Sequence, residues 1–186
     1  YIIIACPKPE IYFTLTRNVV YLKIAVMEIK PILRNENIKQ FSREHHFGLL
    51  FCWKIRMGLK KEIPLGRIRQ YINYYWATHL QPHIKEEEAI FRMQGDNTLC
   101  VKAIAQHKAI SDMIKIINSK FVDTPETYLA LADITDEHIG FEERELFPFL
   151  ETRLSQGALL AIGIHLKTTR DTYLVDEYAD DFWISK

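Results

Sequence analysis

The chain has 186 residues, 48% hydrophobic and 26% charged, which is ordinary for one globular domain with enough chain to bury a core. Lysine plus arginine and aspartate plus glutamate both number 24, so the formal net charge is zero, which argues against nucleic acid or an anionic membrane surface as the main partner. The three cysteines, Cys6, Cys52 and Cys100, form no CxxC pair; a sparse, odd count points to reduced thiols in a cytoplasmic protein rather than a disulfide frame.

Residues 1–36 show no clear class of structure. Ile2-Ile3-Ile4 and Val19-Val20-Tyr21-Leu22 are strand-like, but Lys8, Glu10, Arg17 and Lys23 interrupt them, and no run is long enough to span a membrane. A secretory signal is a poor match. The segment reads as a strand-like arm, a leader, or sequence upstream of a start at Met27.

From about residue 37 the pattern turns helical. Phe41, His45, Leu49, Cys52 and Leu59 share one stripe, and His46, Leu50, Trp53 and Met57 the neighbouring one. Lys60 to Gly66 is a connection. A second helix covers 67–93, with Pro82 as a kink one residue before His83. Gln94-Gly95-Asp96-Asn97 is a turn. A third helix covers 98–121. Asp123-Thr124-Pro125 supplies a cap and a first-turn proline for a fourth helix running to about 154. Gly157 and Gly163 loosen the chain beyond that point, and the acidic, aromatic stretch Asp176 to Trp183 reads as a strap docked by its rings. The expected fold is all-α: an up-down-up-down four-helix bundle over 37–155, with a tail over 156–186.

Two stretches repeat one pattern. His83-Ile84-Lys85-Glu86-Glu87 lies in helix 2 and His138-Ile139-Gly140-Phe141-Glu142 in helix 4. His and Glu four apart stand one above the other on a helix face. One copy is weak evidence; two copies, each preceded by a helical His in the helix before, are specific. His45 or His46 comes early in helix 1 and His107 early in helix 3, while the His-x-x-x-Glu pairs come late in helices 2 and 4, so all converge at one end of an antiparallel bundle. Four imidazoles and two carboxylates suit two first-row metal ions. The set is too poor in carboxylate for calcium or magnesium, lacks the thiolates of structural zinc and contains no HExxH.

Candidate ligands are therefore His45 or His46, His83, Glu87, His107, His138 and Glu142. Only one of His45 and His46 can face a given metal, because neighbours diverge by ~100° on a helix. His79, one turn before His83, is a further ligand or a supporting group. Glu86, Glu88 and Glu143 read as solvated or supporting, and His165 as surface.

These residues carry a resemblance. Glu44-His45-His46, His83 with Glu87, Gln106-His107-Lys108 and the run from His138 to Pro148 together resemble the hemerythrin-like, HHE cation-binding domain, over roughly 37–155 plus the Asp180-Asp181-Phe182-Trp183 ending. The resemblance implies a four-helix bundle holding a centre of two non-haem irons. The oxygen-carrying members place two His four apart on helix 3; His107 has Ala103 and Ser111 at those positions, so this chain is similar instead to four-His, two-carboxylate variants. The expected function is binding or sensing of oxygen or nitric oxide, or iron handling. The alternatives are a di-iron redox enzyme acting on peroxide or nitric oxide, and a metal-independent helical interaction module.

Overall fold

The computed structural model describes the backbone of residues 11–16 and 19–24, and residues 33–119, 123–169 and 176–184. The chain divides into two units, Tyr1–Leu33 and Arg34–Lys186. In the first, β1 (Ile11–Thr16) and β2 (Val19–Ile24) pair antiparallel, with Ile11 opposite Ile24 and Thr16 opposite Val19. Both are rich in β-branched and aromatic residues, which favour extended backbone. Cys6 and Met27 lie outside the described residues.

The second unit is helical. Its elements are α1 (Lys39–Lys60), α2 (Leu65–Tyr75), α3 (Gln81–Arg92), α4 (Thr98–Ser119), α5 (Pro125–Phe141), α6 (Phe147–Arg153) and α7 (Gln156–Thr169). Two rods are continuous across a π-helical turn: Trp76–Leu80 joins α2 to α3, and Glu142–Leu146 joins α5 to α6. Each turn lies just before a proline, Pro82 or Pro148. In an α-helix the proline ring would strike the carbonyl four residues back and donate no bond to it. Here the residue before each proline bonds five back instead, Gln81 N–H to the Trp76 carbonyl and Phe147 N–H to the Glu142 carbonyl, and the widened turn makes room for the ring. The expected simple kink at Pro82 is thus a π-turn, and an equivalent one occurs at Pro148.

The rods form a four-helix bundle whose neighbours run in opposite senses. Along α1 from Phe41 to Phe51, the partners on the second rod fall from His83 to Tyr75. Glu87 meets His107 and Asn73 meets Asn118 across the second rod and α4. His45 meets Glu142 and Arg56 meets Asp133 across α1 and the fourth rod.

Apolar side chains form two clusters. One holds Phe51, Ile55, Tyr71, Ile84, Ile110 and Leu131; the other holds Phe41, Ile90, Phe91, Ala103, Phe141 and Phe147. Every rod passes from one cluster to the other through its His and Glu positions, so these form a polar layer between two apolar ones.

The segment after 155 differs from expectation. Far from loosening the chain, it forms α7, whose Leu159, Gly163 and Leu166 are buried at helical spacing. Gly163 is a close-approach point: a Cβ there would stand 2.5 Å from Asn37 Oδ1 and 3.0 Å from the Asn37 Cα. The tail docks as its aromatic residues indicate. Phe182 is fully buried, Lys54 Nζ lies 3.6 Å above the Trp183 ring, and Asp176 accepts from Lys54 at 2.6 Å and from Tyr71 at 2.7 Å. Among the described residues no helix is long and apolar enough to cross a membrane.

Candidate metal centre

The polar layer is built from all four rods. His45 comes from α1, His83 and Glu87 from α3, His107 from α4, His138 from the end of α5, and Glu142 from the first position of the second π-turn. All six are buried, and both carboxylates are wholly so. Their donor atoms fall into two sets, His45–His83–Glu87–Glu142 and Glu87–His107–His138–Glu142, each with its atoms within 4.8 Å of one another. The sets share both carboxylates. His45 Nε2 stands 3.0 Å from Glu142 Oε2 and 3.5 Å from Glu87 Oε1. His83 Nε2 is 3.1 Å from Glu87 Oε1, and His107 Nε2 is 3.4 Å from Glu87 Oε2.

The opposite edges of three rings are tied down. His45 Nδ1 donates to Glu143 Oε1 at 2.7 Å, and Glu143 Oε2 accepts in turn from Arg34 Nη2 at 2.7 Å. His83 Nδ1 donates to Glu44 Oε2 at 2.7 Å, with Gln40 Nε2 on the other Glu44 oxygen at 3.0 Å. His138 Nδ1 donates to Gln106 Oε1 at 3.1 Å. Each such bond fixes a proton on the outward nitrogen and turns the other nitrogen inward, the orientation in which an imidazole that gives up its inward proton can hold a metal. Phe147 stacks flat on His45 at 5.3 Å, and Phe91 lies 6.0 Å from His107, limiting ring rotation from the apolar side.

The buried polar atoms show what fits. Among the described residues, the buried side-chain nitrogens and oxygens without a hydrogen bond, Arg34 Nη1 apart, belong to residues of this layer: the inward His45 Nε2 and His83 Nε2, both oxygens of Glu87 and of Glu142, and the outward His107 Nδ1, while His107 Nε2 and His138 Nε2 meet at 3.0 Å. A buried polar atom normally has a partner, and leaving one without costs about 1–3 kcal/mol. Such a concentration of buried donors fits a cation. Nitrogen and carboxylate donors without thiolate suit first-row transition metals.

Protonation points the same way. Burial disfavours charge on His45, yet the carboxylates of Glu142, Glu143 and Glu87 outweigh it and raise its pKa well above the usual imidazole value. His83 shifts upward against burial because of Glu87 and Glu44. His107 is raised to about 10, with Glu142 and Glu87 overcoming burial. His138 is pushed down to about 4, chiefly by burial. Glu87 and Glu142 stay below the ordinary carboxylate range despite burial, held there by the imidazoles around them. A cation bound among these groups would compete with protons on the raised imidazoles.

Of the two candidates on α1, only His45 enters the layer. His46 is exposed and belongs to neither set, on the stripe that leaves Trp53 46% exposed. His79 is also outside both sets: its Nδ1 meets Thr78 Oγ1 at 2.6 Å and its ring stacks on Tyr75 at 4.8 Å. Glu143 is buried rather than solvated, for it bridges His45 and Arg34. Glu88 pairs with Arg92, and Glu86 accepts from the exposed His165 at 2.7 Å. Of the outer partners, Glu143 is the one whose supporting role the sequence suggests; Glu44 and Gln106 appear there only as neighbours of His45 and His107, and Arg34 carries no signal. A cavity of about 20 Å³ adjoins the layer, lined by His45, His83 and His138 of the layer and by residues that include Gly48, Tyr75, His79 and Ile139.

A family model described as the hemerythrin HHE cation binding domain matches residues 32–154. The chain belongs to that family. No curated protein and no solved structure matches it.

Proposed function

We propose that this hemerythrin-like chain binds two non-haem irons, one in each donor set, and presents them to a small diatomic molecule, oxygen or nitric oxide, for binding, sensing or iron handling. The observation that carries this reading is the pair of four-donor sets that share Glu87 and Glu142. Two cations a few ångströms apart repel strongly, and anions common to both offset that repulsion. When bound, the irons supply redox-active centres with which a diatomic ligand can interact. The protein supplies the rest. His45, His83, His107 and His138 contribute the nitrogens of the two sets, while Glu143, Glu44 and Gln106 fix three of those rings from outside. The apolar layers on both sides limit water.

The adjoining cavity supports a ligand of one or two heavy atoms, since about 10–15 Å³ already holds a water and this one measures about 20 Å³. We place the protein in the cytoplasm; Cys52 and Cys100, free and buried, suit a reducing compartment.

The test is iron analysis with optical spectroscopy on protein expressed with iron supplied and no chelator. We expect about two irons per chain, from the donor preference, a charge-transfer band from the paired ferric ions, and a spectral change on adding nitric oxide to the reduced protein. Iron near zero in folded protein refutes the reading. Rapid turnover of peroxide or nitric oxide would make it an enzyme.

A further inference from the structure

We infer that Gly48 and Ile139 form the size-limiting wall of the ligand cavity, so that the absence of a side chain at position 48 is what keeps the space beside the metal layer open. The inference rests on the diatomic-ligand reading above and assigns its specificity to two residues outside the donor sets.

The far wall is rigid. Tyr75 is sandwiched between Phe51, stacked at 4.5 Å, and His79, stacked at 4.8 Å. His79 sits in the π-turn, with Nδ1 on the Thr78 hydroxyl, and that hydroxyl donates to the Tyr74 carbonyl at 2.7 Å. Moving this wall means unstacking three rings and breaking a backbone-anchored bond. The near wall is a glycine in the interior of a helix, a place where glycine costs roughly 0.5–1 kcal/mol relative to alanine. Neither a turn nor a positive φ calls for it: Gly48 lies inside α1, nine residues from its start. What it faces is Ile139. A Cβ at position 48 would stand 2.8 Å from the Ile139 Cδ1 and 3.9 Å from its Cγ1. That contact is too short to survive, but Cδ1 is the free end of a flexible side chain and can move. Ile139 is only 2% exposed and borders the cavity itself, so the space able to receive a displaced δ-methyl is the cavity. Its volume of about 20 Å³ is little more than the ~10–15 Å³ that one water-sized sphere needs, so one displaced methyl removes most of it.

The consequence is selective. Alanine at 48 leaves all six donors and their outer partners in place, because neither Gly48 nor Ile139 is hydrogen-bonded to them through a side chain. Metal binding and folding survive, and ligand binding weakens.

The experiment compares wild type, Gly48→Ala, Ile139→Val and the double variant, each loaded with iron, reduced, and titrated with nitric oxide. Gly48→Ala is expected to keep wild-type iron content and a melting temperature at or slightly above wild type, while its affinity for nitric oxide falls about tenfold or more, the scale of forcing one methyl into a filled site. Valine lacks the δ-methyl that the new Cβ would strike, so Gly48→Ala/Ile139→Val recovers most of the lost affinity. Ile139→Val alone binds at least as well as wild type. Equal affinity in Gly48→Ala and wild type overturns the inference, as does a double variant no better than Gly48→Ala. A wild type that holds two irons yet takes up no nitric oxide overturns the functional reading, and the inference with it.

Discussion

Glu143→Gln removes one charge and no volume, and the two donors around that side chain determine its effect. In the native protein Oε1 accepts from His45 Nδ1 at 2.7 Å and Oε2 accepts from Arg34 Nη2 at 2.7 Å. A carboxylate satisfies both donors. An amide has one acceptor oxygen and turns an N–H₂ toward the second donor. The guanidinium takes the oxygen, because hydrogen bonds to charged groups contribute about 1.5–3 kcal/mol against 0.5–1.5 kcal/mol for neutral ones. His45 then faces a donor, and its ring must rotate or change tautomer, which spoils the inward lone pair. Loss of such an outer partner weakens metal binding about 10–100-fold, or roughly 1.4–2.7 kcal/mol. The metal-free fold weakens too, but not by the full cost of breaking a buried pair, because Arg34 keeps the Glu143 carbonyl at 2.8 Å and Glu151 at 3.4 Å; we expect about 1–3 kcal/mol. Competition against a chromophoric chelator gives the affinity, and thermal melts of metal-free protein give the stability. Glu145→Gln, exposed on the same turn, is the control and should change neither. If Glu143→Gln binds iron within twofold of wild type, the idea that the bond from Glu143 orients His45 is wrong.

His45→Ala should lose at least half of the bound iron while His46→Ala keeps it all, measured by elemental analysis; the reverse result would mean that α1 is rotated relative to its neighbours. Gly58→Ala should destabilise the protein by about 1–3 kcal/mol and expose the tail to limited proteolysis, because a Cβ there would stand 2.6 Å from Phe182 Cε2 and 3.0 Å from Ile68 Cδ1; an intact, protease-resistant tail would contradict the docking. The Asp176 carboxyl is held below its ordinary range, burial working against the charge and the bonds from Lys54 and Tyr71 outweighing it. Its contribution to stability is therefore complete above the unfolded value of about 3.9 and is lost as pH falls through the lower folded value, so the gap in denaturant midpoint between wild type and Asp176→Asn should hold from neutral pH to about pH 5 and close in stronger acid; a gap that instead closed on raising the pH would reverse the sign of the argument.

Local patterns were legible in the sequence for a physical reason. Helix periodicity and the spacing of His83 with Glu87 and of His138 with Glu142 depend on residues within one turn of each other, so the chain states them directly. The register of the four helices came from their order and short connections, which is why His107 and an α1 histidine could be placed at one level with both pairs. Pro82 and Pro148 were equally visible, but a proline says only that the α-helical bond four back cannot form. Whether the rod breaks, kinks or widens into a π-turn is decided by what packs against it. Gly157 and Gly163 misled for the same reason: glycine weakens an isolated helix, but Gly163 lies against Asn37, where only a residue without Cβ fits.

The choice between His45 and His46 belonged to the tertiary structure alone. Both stand on the same helix and next to each other, and only the placement of Phe147 and Glu143 from the fourth rod makes one face the interior. Arg34 and Glu143 are 109 positions apart, and Glu44 and His83 are 39. No periodicity connects residues at such separations. Local spacing in the chain marks the side chains able to bind a metal; the packing of four helices sets which nitrogens face the shared carboxylates, because orientation depends on contacts that exist only once the distant segments have met.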